Sequence, residues 1–102
     1  MTTLGEILAG LTDDSRADVI VAAVAPAAVI ARATDAATIA GAPLGGVIAG
    51  RVRRLVDQGG DELWFDLLGA MARSPQPVAA AVERVLTAAF PQSGPANAGA
   101  SR

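Results

Sequence analysis

Leu4, Ile7, Leu8 and Leu11 recur at the three- and four-residue spacing of one helical face, and Thr3 precedes Glu6 at the spacing of a capping box. The pattern predicts a short amphipathic helix. Thr12, Asp13, Asp14 and Ser15 follow, residue types that cap helix starts and suit the positive end of the dipole. Ser15 and Asp18 have the spacing of a second capping box. The helix they open is apolar on all sides from Val19 to Ala25 and meets Pro26, which ends it or starts the next. Helical character resumes over Ala27–Ala33, and Asp35 is placed to cap a separate short turn through Ile39 before Gly41.

From Pro43 the pattern predicts one helix to Gln58, with Gly59 taking the left-handed position after its last turn. Asp61 is then expected to cap a helix that gathers Leu63, Trp64, Leu67, Leu68 and Met71 on one side, and Glu62, Asp66 and Arg73 on the other. Ser74, with Pro75 at the first helical position, opens the last helix, whose core stripe is Val78, Val82, Val85, Leu86 and Ala89; Pro91 stops it. The expected fold is all-α, a compact bundle of five to six short helices over residues 1–90. Residues 91–102, rich in proline, glycine and serine, are expected to form a disordered tail.

Composition sharpens this picture. Of 102 residues 52% are hydrophobic, but 24 are alanine and only Trp64, Phe65 and Phe90 are aromatic. Alanine favours helices and adds little volume to a core, so a domain of this size gains from a partner surface. All 8 basic residues are arginine, against 10 acidic ones, and the net charge of −2 gives no global attraction to nucleic acid or anionic lipid. Cysteine, histidine and tyrosine are absent, which removes disulfides, thiolate nucleophiles, imidazole bases and the usual zinc sites. No basic region precedes the first apolar run, so no targeting peptide is read and a cytoplasmic location is expected.

The stretch GAPLGGVIAGRVRRL, Gly41–Leu55, invites four chemistries. Gly41 and Gly46 have the glycine spacing of a phosphate-binding loop, but Val47 and Ile48 stand where that loop needs a lysine and a hydroxyl. A membrane hairpin would need about 20 apolar residues per span, whereas Val19–Ala31 and Ala36–Gly50 are shorter and carry Pro26 and Pro43; Arg32 and Asp35, between them, are spaced to pair. A helix-turn-helix reading sets Arg51, Arg53 and Arg54 against phosphates, yet the first turn of that recognition helix offers Leu44, Gly45, Gly46 and Val47, and the connecting turn reads as long. The paired carboxylates Asp13–Asp14 and Asp61–Glu62 serve helix starts, and Glu62 with Asp66 lacks a third cation ligand. No catalytic residue, metal or cofactor is expected.

The fourth chemistry is close approach by another chain. At 100° per residue, Leu44, Ile48, Val52, Leu55 and Val56 share a core arc with Gly45 and Ala49 beside it. Gly46, Gly50, Arg53, Arg54 and Asp57 fall on the opposite arc. Two outward glycines, each costing about 1 kcal/mol of helix stability against alanine, have two readings: drift or internal packing against the alanine-rich segment before them, or a shallow groove for a partner helix with a charged rim. The expected function is a non-catalytic interaction or assembly module, self-associating or serving as a small subunit or adaptor of a protein complex. A DNA-binding regulator and a membrane-associated hairpin are the alternatives.

Overall fold

The computed structural model describes residues 3–91, so the tail expected to be disordered lies, from residue 92 onward, outside the described residues. The fold is all-α: α1 (Leu4–Leu11), α2 (Ala17–Val24), α3 (Ala27–Ala40), α4 (Leu44–Ala72) and α5 (Pro77–Ala89), with no strand among the described residues.

Most boundaries have a local cause. The Thr3 amide donates to Glu6 Oε1 at 2.8 Å and the Glu6 amide donates to Thr3 Oγ1 at 3.2 Å, so the first capping box forms as spaced. The second does not. Both the amide and the hydroxyl of Ser15 donate to Asp13 Oδ1, at 2.9 and 2.7 Å, and this local turn outcompetes a bond across to Asp18. Consequently α2 starts only at Ala17, with Arg16 as an N-cap that makes no side-chain cap bond. Pro26 does divide α2 from α3, holding Ala25 extended at φ −85°, ψ 149°.

No separate turn is capped by Asp35, because α3 runs unbroken to Ala40. The hydroxyls that would compete with the helix, on Thr34 and Thr38, donate instead to the carbonyls of Ile30 and Thr34 one turn back, at 2.8 and 3.0 Å. Gly41 then closes α3 at φ 65°, ψ 35°, and the Ala42 amide reaches the Ala37 carbonyl at 3.2 Å.

The break expected after Gln58 is present: a kink at Gly60 divides α4 into two helical halves, with a φ of 56° and ψ of −146° that only glycine adopts without strain. The residue that leaves the helix is thus Gly60, one position after the expected Gly59. At the other end, Ser74 accepts from the Gln76 amide at 3.0 Å to close a turn, so α5 begins with Pro77, not Pro75, at its first helical position.

The core lies where α4 meets α5, with α1, α2 and α3 packed around that pair. Ile48, Ala49, Val52 and Leu67 from α4 face Ala81, Val82, Val85 and Leu86 from α5 and Leu8 and Leu11 from α1. Side chains here are small and aliphatic; Phe90 is the one aromatic residue buried with them, and no polar or charged residue is buried among the described residues.

Candidate functional site

The predicted partner groove can now be located. Ile48, Ala49, Val52 and Gly45 are buried as the core arc requires, while Leu44, Leu55 and Val56 are half-buried. On the opposite arc Gly46 and Gly50 are half-buried, and Arg53, Arg54 and Asp57 are exposed. These five do not enclose one free groove. The Arg53 guanidinium donates to the Thr12 carbonyl at 2.7 Å and lies 3.9 Å from Asp14, tying α4 to the α1–α2 loop. A Cβ added at Gly46 would meet Asp14 Oδ2 at 3.8 Å, an ordinary contact, and one at Gly50 would meet nothing within 4 Å. The close approach occurs at Gly45, where a Cβ would collide with the Asp14 carbonyl oxygen. The element that needs that glycine is the chain's own loop.

A three-residue turn joins α3 to α4, because α3 extends to Ala40; the turn is shorter than the sequence suggests and of helix-turn-helix length. The arginines nevertheless diverge. Arg51 donates to the Ala89 carbonyl at 3.2 Å and stacks over the Phe90 ring at 4.8 Å, Arg53 points to the α1–α2 loop, and Arg54 is exposed. Carboxylates of Asp14 and Asp18 also flank Gly46 and Gly45 at the start of α4, where a recognition helix would present itself to a phosphate-lined groove.

Along the second half of α4 the expected apolar stripe splits. Leu67 is fully buried with Leu63 and Met71 partly buried beside it, but Trp64 and Leu68 turn outward, 37% and 48% exposed, to join Phe65 at 73%. Helix rotation is set by what α5 covers. Arg84 of α5 grips Asp66 with two bonds, Nε to Oδ2 at 2.8 Å and Nη2 to Oδ1 at 2.7 Å, which fixes the Leu67 side inward. Phe65 belongs to no predicted stripe; its place next to Trp64, outside the Leu63–Leu67–Met71 series, is the signal that it faces away from the core.

That clamp also removes Asp66 from any cation site with Glu62. Hydrogen bonding from Arg84 holds the Asp66 carboxyl below its ordinary 3.8, against a smaller upward push from desolvation, and the same pairing raises Arg84. Because the folded value is depressed, the pair supports the fold above the unfolded value and is lost as pH falls through the lowered one. A carboxyl-carbon NMR titration of Asp66 is expected to show a midpoint below 3.8 that rises in Arg84→Gln.

The chain matches no family model, no curated protein and no solved structure. Among the described residues no group of three acidic, histidine or cysteine side chains could hold a metal, and no helix is long and apolar enough to cross a membrane.

A cleft of about 410 Å³ opens between the second half of α3, Arg51 of α4 and the end of α5. Arg32, Asp35 and Arg51 supply its charges, and Ala36, Ile39 and Phe90 its apolar walls. Arg32 and Asp35 do not form the pair that their spacing suggests: the ion pairs among the described residues are Arg53–Asp14 and Arg84–Asp66. Arg32 Nε is instead buried with no acceptor among the described residues.

Proposed function

We propose that this chain is a non-catalytic assembly module that pairs with a second copy of itself through the outward face of α4 beyond the kink. One observation carries the reading. Two of the three aromatic residues, Trp64 and Phe65, stand on the surface with Leu68, while the core is filled with alanine, valine and leucine. Fully burying a side chain such as phenylalanine or leucine contributes about 1.5–3 kcal/mol, so this face holds apolar stabilisation that the monomer leaves unused.

The flanking charges suit a two-fold antiparallel pairing. Asp61 and Glu62 open this half of the helix and Arg73 follows its end, all exposed, so an antiparallel copy brings opposite charges together at both ends. The same carboxylates, with Asp57 and Asp66 nearby, oppose an anionic membrane surface or a nucleic acid. Of the residues first expected to meet a partner, Arg54 and Asp57 remain exposed just before this face and suit its rim, whereas Arg53 serves the α1–α2 loop.

Light scattering over the micromolar range is expected to show a dimer, with Trp64 emission shifting to the blue as it forms. Phe65→Glu is expected to yield a monomer with unchanged helical circular dichroism. A wild-type chain that stays monomeric, or a Phe65→Glu variant that associates as wild type does, overturns the proposal.

A further inference from the structure

We propose that the cleft between α3, Arg51 and the end of α5 binds a small monocarboxylate with an apolar body, the carboxylate held by Arg32 and Arg51 and the body laid along Ile39 and Phe90. This site is separate from the face assigned to assembly and does not rest on it.

Three features converge here. The first is an orphaned donor: among the described residues Arg32 Nε is buried without an acceptor, a cost that the side chain sheds by turning its guanidinium to an anion in the cleft. The second is preorganisation. Arg51 spends one donor on the Ala89 carbonyl and rests its guanidinium on the Phe90 ring, which holds it in place with most of its five donors still unspent. The third is the wall. Ile39 stands 87% exposed at the cleft and, with Ala36 and the Phe90 ring, offers apolar surface beside the charges.

Charge sets the ligand class. Two guanidiniums against Asp35 leave the cleft one positive charge in excess, enough to balance a single carboxylate, while Asp35 disfavours a second anionic group. Its volume, about 410 Å³, lies in the lower part of the range of small-molecule sites. Arginine forks match carboxylate geometry, and apolar contact along the body supplies the rest of the affinity.

The test titrates octanoate into the full chain, below its micelle-forming concentration, against octanamide as the uncharged counterpart and acetate as an anion without a body. Saturable shifts of the Ile39 methyl and Arg32 Nε–H resonances are expected with octanoate, with octanamide and acetate each weaker by about 10-fold or more. Arg32→Met is expected to weaken octanoate by about 10-fold or more while the melting temperature holds or rises, because the variant deletes an unsatisfied buried donor. Ile39→Asp, at a surface position that the fold does not need, is expected to weaken octanoate as well. Equal binding of octanoate and octanamide, unchanged binding in both variants, or no saturable binding to the full chain overturns the proposal.

Discussion

Gly45→Ala is expected to destabilise the fold by about 3 kcal/mol, lowering the melting temperature by roughly 15 °C. The added methyl would run into the Asp14 carbonyl oxygen, a backbone atom that moves only if the whole α1–α2 loop moves. That loop is anchored by Asp13 bonded to Ser15 and by Arg53 bonded to Thr12, so the shift would break contacts at both ends. Gly50→Ala supplies the control. It places the same methyl on the same helix where nothing lies within 4 Å, and is expected to stabilise by about 1 kcal/mol through helix propensity alone. Thermal melts of the two variants should therefore move in opposite directions; equal shifts would show that the loop does not press on Gly45.

Gly60→Ala is expected to cost about 2–3 kcal/mol by a different route. No neighbour lies within 4 Å of a Cβ at Gly60, so the penalty is purely conformational: φ 56° with ψ −146° lies outside every region that alanine occupies comfortably. The kink lets α4 place Ile48 and Val52 before it and Leu67 after it in the same core against α5. Straightening α4 to relieve the strain would pull Leu67 and the Asp66–Arg84 clamp away from α5. Urea unfolding should show a lower midpoint for Gly60→Ala, while Gly59→Ala tests the neighbouring glycine. A Cβ at Gly59 would approach Leu63 Cβ at 2.7 Å, so that variant is also expected to destabilise, but through a clash across the kink. An unchanged midpoint for Gly60→Ala would mean that the kink is not needed to close the core.

How much of the proposed sites was legible differs between them. Trp64 and Leu68 share helical spacing with Leu63, Leu67 and Met71, and a stripe that wide offers two ways to face the core. The choice was made by α5, eighteen residues further along the chain at the Asp66–Arg84 clamp, which no local pattern encodes. Outward glycines at Gly46 and Gly50 looked like a groove because backbone exposure can be read from a helical wheel, whereas the position of the Asp14 carbonyl beside Gly45 cannot. The cleft was out of reach for the same reason. Arg32 and Arg51 lie on different helices, and Phe90, the residue after the last turn of α5, joins them only through packing.

Local chemistry by itself determined the helical class, the Thr3–Glu6 cap, the break at Pro26, the left-handed Gly41 and the inward stripe of α5, because each depends on residues within a turn or two of one another. The tertiary structure decided which glycine is pressed, where α4 bends, which aromatic rings reach the surface and which arginine loses its partner. Those outcomes depend on how helices rotate against one another, and rotation is set by the fit of whole faces, to which every residue contributes only a little.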